Sequence, residues 1–321
     1  MSFTKDQDIL TRDFAIYTAG LTKSFGSHNA VDSIDLRVPK GSIFGFLGPN
    51  GSGKTTTIRM LMALANISAG EVQMLGYSIP KEMGKALPKV GALVEGPAFY
   101  PYMSGRDNLI RFDAADRFAD PRTRSERVDA ALARVGLTQA ASKKVHAYSL
   151  GMKQRLGIAN ALLQPRELLV LDEPTNGLDP QGTREVRNLI RSLAADGITI
   201  FISSHLLVEI ENICSHLAVM SRGKIVAQGS IEKLSQSPTL NLTLATKDSE
   251  RAIAALKTLG ILATAEGHIV TSVIASDLIA PEQIVRQLVE LGIGVQSFTL
   301  LAPTLEERFV GLTGEGFDVA R

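Results

Sequence analysis

Residues 48–55 read GPNGSGKT and fit the spacing G-x-x-x-x-G-K-[ST]. A short apolar run, SIFGFLG (42–48), leads into them, and KTTTIRMLMALA (54–65) follows, apolar on most sides. Strand, glycine-rich turn and helix in that order confine the chain to an α/β architecture, with the turn at a sheet's carboxyl edge. Each residue type has a reason to be there. Gly51 and Gly53 let the backbone wrap closely around phosphates and aim N–H groups at them. The helix start adds positive potential. Lys54 is the cation for β and γ phosphates, and Thr55 offers a hydroxyl to Mg²⁺. Gly48, Pro49, Asn50, Ser52 and Thr56 complete the expected nucleotide-binding segment.

Two further apolar runs of strand length, ELLVLD (167–172) and ITIFIS (198–203), suit strands buried on both faces of a mostly parallel sheet. The first ends in Asp172 and Glu173, which places two acids where ligand sites of such sheets lie. Asp172 is expected to orient Mg²⁺, and Glu173 to act as general base on an attacking water. His205 follows the second run and is expected to reach the γ phosphate and that water. PQGTREVRNLIRSLAADG (180–197) aligns Val186, Leu189, Ile190 and Leu193 on one helical face. The alternation of strand-like and helix-like segments from about Ile16 to Leu234 reads as a doubly wound α/β domain.

Within it, residues 104–146 carry helical patterns with no strand between them. That marks a helical subdomain over about 97–148, opening on a capping box of Ser104 and Asp107. After IEKLSQSP (231–238) the pattern restarts. TLNLTLAT, ERAIAALKTLG, HIVTSVI, PEQIVRQLVELG and VQSFTLL predict a small α/β extension over 235–321, without a cluster of catalytic residue types. Residues 1–14 read as a polar tail, with Asp6, Asp8 and Asp13 and no apolar signal-like core.

Composition narrows the function. The 321 residues carry a net charge of +1, so no overall basic field points to nucleic acid, and no nucleic-acid partner is expected. The one cysteine, Cys214, excludes an intramolecular disulfide and fits a reducing compartment as a small core residue. No apolar run reaches the roughly 18 residues of a membrane span. A membrane role therefore requires a partner.

Phe25, in LTKSFGSHNAVD, fits hairpin packing on its own. YSLGMKQRLGIANALL (148–163) starts a helix at Ser149, a natural N-cap and a second anion-attracting helix start. Together these segments resemble the nucleotide-binding subunit of ATP-binding cassette (ABC) transporters over about residues 15–234. The resemblance rests on the phosphate loop, on SLGMKQ in place of the usual Ser-Gly-Gly signature, on LLVLDEP, on NGLD (176–179) and on His205. It implies a protein that binds ATP with Mg²⁺, dimerises on ATP and hydrolyses it. Ser149 and Gly151 of one protomer then close over the γ phosphate held by Lys54 of the other. Asp179 links the two sites across the interface, and Phe25 falls where the family stacks adenine. The implied partners are a second ATPase subunit and an integral membrane permease. The implied location is the cytoplasmic face of the membrane.

Two departures stand out. Leu150-Gly151-Met152 replaces the second signature Gly with neighbours seen in one exporter branch, and LLAPTLEERFVGLTG (300–314) resembles that branch's C-terminal extension. The branch resembles ATPases of bacterial drug, bacteriocin and antibiotic exporters, and the helical region is then expected to dock on a membrane subunit. The other departure is Glu95, in GALVEGPAFYP (91–101), where the family usually has Gln and lantibiotic-immunity-like members have Glu. A carboxylate keeps an oxygen for Mg²⁺ but loses the amide donor. Set about 6 Å from Asp172 or Glu173, it is repelled by about 3 kcal/mol at an effective dielectric of ~20. Glu95 is therefore expected to be a Mg²⁺-dependent ligand. The competing class is an ABC ATPase without transport, acting on a nucleic-acid or ribosomal partner. Paired cassettes or a long coiled-coil insertion would favour that class, and the sequence has neither.

Overall fold

The computed structural model describes residues 13–96, 98–236, 239–275 and 280–313. Most of the polar tail at 1–14 lies outside them, as does the end of the C-terminal stretch. The chain divides into two compact units at Ile231/Glu232.

The first unit contains β1 (Phe14–Phe25), β2 (His28–Ile34), β3 (Arg37–Pro39), β4 (Ile43–Leu47), β5 (Ala69–Met74) and β6 (Tyr77–Ile79). β7 (Val90–Leu93), β8 (Leu168–Leu171), β9 (Thr199–Ser204), β10 (His216–Ser221) and β11 (Lys224–Ser230) follow. Six of these strands form the central sheet in the order β11-β10-β4-β9-β8-β7. β10, β4, β9, β8 and β7 are parallel, and β11 pairs antiparallel with β10 at one edge. The runs expected to be doubly buried are so: every residue of β8 and of β9 is buried. Phe44 and Phe201 stack at 5.9 Å between neighbouring strands.

The expected alternation fails at the start of the chain. β1, β2, β3, β5 and β6 make a second, antiparallel sheet in which β1 pairs with β2, β3 and β5. Its strands are only half buried, so their sequence lacks the long apolar runs that marked the central sheet. One hydrophobic core joins this sheet, the helix Lys54–Leu61 and one face of the central sheet. Leu168, Val170 and Phe201 face that core, whereas Leu169, Leu171, Ile200 and Ile202 face a second one. The second core takes in the helices Gly105–Ala115, Arg124–Arg134, Leu150–Ala161 and Pro180–Ala195. Val186, Leu189, Ile190 and Leu193 are all buried there, as their spacing indicated.

The helical region has two α-helices with short 3₁₀ turns and no strand among its described residues. The Ser104 hydroxyl caps the first helix by accepting the Asp107 amide at 3.0 Å. It also donates to the Asp107 carboxylate at 2.6 Å, so this box closes side chain to side chain. Asp113 is fully buried and is held by Arg124 at 3.1 Å and Arg127 at 2.7 Å, which ties the two helices together.

The second unit is a four-stranded antiparallel sheet in the order β13 (Thr264–Glu266), β14 (Ile269–Ala275), β12 (Thr239–Ala245), β15 (Ser297–Leu301). The helices Ser249–Thr258 and Pro281–Glu290 bury Leu256, Ile284 and Leu288 against it. The β13–β14 hairpin was not foreseen. No helix among the described residues is long and apolar enough to cross a membrane.

Candidate functional site: a phosphate loop beside paired carboxylates

The parallel strands of the central sheet all point one way, so their carboxyl ends gather the loops that follow them. β4 delivers the glycine-rich turn there. Gly48 must be glycine, since a Cβ would stand 2.3 Å from the Met220 carbonyl oxygen. Gly53 has φ +109°, and a Cβ there would lie 2.4 Å from the Ala30 carbonyl oxygen. A helix begins at once with Lys54. Pro49 is half-buried, Asn50 and Gly51 are exposed, and Thr55 and Thr56 are half-buried. The Ser52 hydroxyl is buried and has no hydrogen-bond partner.

Lys54 is buried, and its ammonium donates to the carbonyl oxygens of Gly48 at 2.6 Å and Pro49 at 3.3 Å. The Glu173 carboxylate lies 3.6 Å away. Desolvation lowers the Lys54 pKa, and the charges of Glu173 and Asp172 act against that. The Thr55 hydroxyl donates to Asp172 Oδ2 at 3.3 Å. His205 Nδ1 is 2.8 Å from Glu173 Oε2. An ionised carboxylate only accepts, so Nδ1 carries the proton and Nε2 is left for another partner. Lys54, Thr55, Asp172, Glu173 and His205 thus form one cluster from three strand ends. Glu173 reaches it from a left-handed backbone, with φ +48°.

Ser203 also belongs to this cluster and was not anticipated. Its hydroxyl donates to Asp172 Oδ1 at 2.5 Å and accepts the Glu173 amide at 2.9 Å. The available signal was a pair of serines closing an otherwise apolar strand, Phe201-Ile202-Ser203-Ser204.

The other expected residues stand apart. Ser149 caps the helix Leu150–Ala161 by accepting the Met152 amide at 3.2 Å. A Cβ on Gly151 would lie 3.6 Å from Gly182 and 3.9 Å from Leu178, so this helix start sits beside the NGLD loop. Asp179 caps the helix Pro180–Ala195 through the Gly182 amide at 2.8 Å. Phe25 lies at the turn between β1 and β2 with its ring 59% exposed and the Lys23 ammonium 5.0 Å from the ring centre. The ring is therefore not packed into the hairpin. Glu95 does not join the carboxylates: it is ion-paired with Arg59 on the phosphate-loop helix, and both side chains are about half exposed. Cys214 is partly exposed as a residue, yet its sulfur packs near Gly45, and burial pushes its thiol well above the usual range.

The donor set fits a nucleotide with a hard cation. An orphaned buried hydroxyl, a buried ammonium and a glycine cradle sit at one helix start, which suits phosphate oxygens. Among the described residues no group of three or more His, Cys, Asp or Glu side chains could hold a metal unaided. Mg²⁺ needs no such group, because it keeps waters and shares phosphate oxygens beside one or two protein ligands. Thr55 and Asp172 offer such oxygens.

The chain is similar to known proteins in sequence and in fold. The model of the family described as ABC transporter matches residues 31–176. The chain is 39% identical over 303 residues to the bacitracin transport ATP-binding protein BcrA of Bacillus licheniformis, covering 94% of this chain and 98% of that one. It is 33% identical to the daunorubicin resistance ATP-binding protein DrrA3 of Streptomyces coeruleorubidus, covering 94% and 97%. Among solved structures, CbiO1 of Clostridium perfringens, part of an ABC transporter complex, is similar over 69% of this chain and 90% of that one, with a TM-score of 0.63 and 28% identity.

Proposed function

The chain belongs to the ABC transporter family as an ATP-binding, ATP-hydrolysing subunit, and from that premise we propose how its site works and what it powers. The observation that carries the reading is the Glu173 carboxylate, held between Lys54 and His205 at the sheet's carboxyl edge.

Lys54 and the amides of Gly51, Ser52 and Gly53 hold the β and γ phosphates of ATP, which requires the Lys54 ammonium to leave the Gly48 and Pro49 carbonyls. Thr55 and Asp172 would hold Mg²⁺, which when bound would supply charge neutralisation at the phosphates. Glu173 takes a proton from the attacking water, and His205, when its ring carries both protons, donates through Nδ1 to that carboxylate and through Nε2 to the γ phosphate. Phe25 stacks on adenine. Ser149 and Gly151 of a second copy complete the phosphate cage, a reading supported by the place of that helix start beside the NGLD loop of its own chain. On closure Glu95 would leave Arg59 and offer a carboxylate oxygen to Mg²⁺.

The cassette powers a separate integral membrane subunit, and the cargo is a drug, an antibiotic or an antimicrobial peptide. The C-terminal unit and the two relatives named for bacitracin transport and daunorubicin resistance support this. The test is to purify the tagged full-length chain from its native membrane fraction and to measure ATPase activity with Mg²⁺. Recovery of one integral membrane protein in fixed ratio, together with a resistance loss on deletion of the gene, is expected. Failure to recover any integral membrane protein, or recovery on ribosomes, would overturn the transport assignment and leave the ATPase assignment standing.

A further inference from the structure

We propose that Ser203 is a positioning residue that sets both carboxylates of the hydrolysis site through one hydroxyl, an inference that rests on the roles just given to Asp172 and Glu173. β8 pairs with β9 up to Leu171, which lies opposite Ile202. Asp172 and Glu173 continue beyond the paired strand. On the β7 side the Asp172 amide still finds the Leu93 carbonyl at 2.8 Å. On the β9 side the Glu173 amide meets no ladder carbonyl and is taken by the Ser203 hydroxyl at 2.9 Å.

A serine hydroxyl has one proton and two lone pairs. Here the proton goes to Asp172 Oδ1 at 2.5 Å, and a lone pair receives the Glu173 amide. Ser203 is fully buried, so water cannot replace either bond. With Oδ1 fixed, Asp172 turns Oδ2 toward the Thr55 hydroxyl. With its amide fixed, Glu173 stays at φ +48°, a conformation unfavourable to any side chain with a Cβ. That conformation sends its carboxylate to His205 and Lys54.

The next residue secures the far end of the same segment. The Ser204 hydroxyl donates to Glu209 Oε2 at 3.0 Å, and the Thr175 hydroxyl donates to the same oxygen at 2.6 Å. Asp172 to Thr175 is thus pinned at both ends by consecutive serines of β9. A hydroxyl is needed at 203 because one atom must donate to a carboxylate and accept from an amide. Ala offers neither bond.

The test compares Ser203→Ala and Ser203→Thr in the full chain, alone and combined with Glu173→Gln. Ser203→Ala should lower kcat about 10-fold, with the KM for ATP within about threefold, as expected for a group acting through the general base. Ser203→Thr keeps the hydroxyl and should recover most of that loss. In the Glu173→Gln background, at saturating Mg²⁺, the same Ser203→Ala change should alter the residual rate less than about twofold, since the general base it positions is gone and the metal site is filled. Mn²⁺ binding to the ATP-loaded Glu173→Gln chain, read by electron paramagnetic resonance, should weaken about threefold on adding Ser203→Ala, through Asp172. Parent-like kcat in Ser203→Ala, equal loss in Ala and Thr, or the same fold-loss in both backgrounds overturns the proposal. If instead Glu173→Gln itself turns over ATP at the parent rate, the reading of the site fails first, and this inference falls with it.

Discussion

The two sheets that dominate the two units have opposite consequences for chemistry. In the central sheet five neighbouring strands run parallel, so β4, β8 and β9 all end at one edge. Gly48, Asp172 and Ser203–His205 follow those ends and meet. In the C-terminal sheet the pairings β12–β14, β12–β15 and β13–β14 are all antiparallel. Neighbouring strands there end at opposite edges, β12 and β13 at one and β14 and β15 at the other, so each edge gathers only two strand ends. Its outward positions are ordinary β-formers such as Thr271, Val273 and Thr299. Both units bury comparable kinds of apolar side chain, yet among the described residues the cluster of Lys54, Asp172, Glu173 and His205 stands on the parallel sheet. Strand direction, rather than composition, separates a site from a scaffold here.

The sharpest way to break this comparison is at the shared edge. Glu173→Gln should slow ATP hydrolysis by ~10² or more, the scale of a lost general base. It should leave ATP binding intact and accumulate an ATP-bound dimer, read by phosphate release and by light scattering. Near-parent turnover would mean that the edge gathers these residues without using them.

The parts of that edge that were legible in the sequence are local. The phosphate loop is eight consecutive residues, and the acids and His205 each follow an unmistakable apolar run. What stayed hidden depends on which strands are neighbours. Ser203 lies 31 residues from Asp172, and Arg59 lies 36 residues from Glu95. Their encounter follows from the order β4-β9-β8-β7, which no local pattern states. The antiparallel sheet of β1 to β3, β5 and β6 was missed for a different reason. Half-buried strands alternate irregularly, with bulges such as that between Leu21 and Lys23, so the period-2 signal is broken.

A second effect, smaller, is expected at Phe25. Its exposed ring has no packing role to lose. Phe25→Ala should therefore weaken ATP binding about 10-fold, the lower part of the range for base–aromatic stacking, without changing kcat at saturation. Fluorescent-nucleotide titration measures it. A loss of thermal stability in place of a loss of affinity would return the ring to a structural role.

Glu95 should matter less. Its ion pair with Arg59 is about half exposed, and such pairs contribute at most about 1 kcal/mol, or about fivefold. Glu95→Gln should flatten the Mg²⁺ dependence of ATPase rate by no more than that factor. Arg59→Gln should shift the Mg²⁺ midpoint the opposite way, downward, by releasing the carboxylate. An unchanged midpoint and slope in both variants would make the pair a surface feature.

The smallest effect on turnover is expected from the deepest cut in the other unit. Leu256 is fully buried between the helix Ser249–Thr258 and its sheet. Leu256→Ala should cost that unit about 2–5 kcal/mol, a large share of a small domain's stability. Because contacts concentrate within each unit, the loss should stay there. Hydrogen exchange at Leu242 and Leu244 in β12 should accelerate by orders of magnitude, while exchange at Ile200 and Ile202 in β9 stays as in the parent. ATP turnover of the chain alone should remain within about twofold, since stability lost in one cooperative unit leaves the other's site geometry in place. If β9 also opens and turnover falls, the two units are one cooperative body. The C-terminal sheet would then be part of the engine, and strand direction alone would no longer explain why chemistry sits where it does.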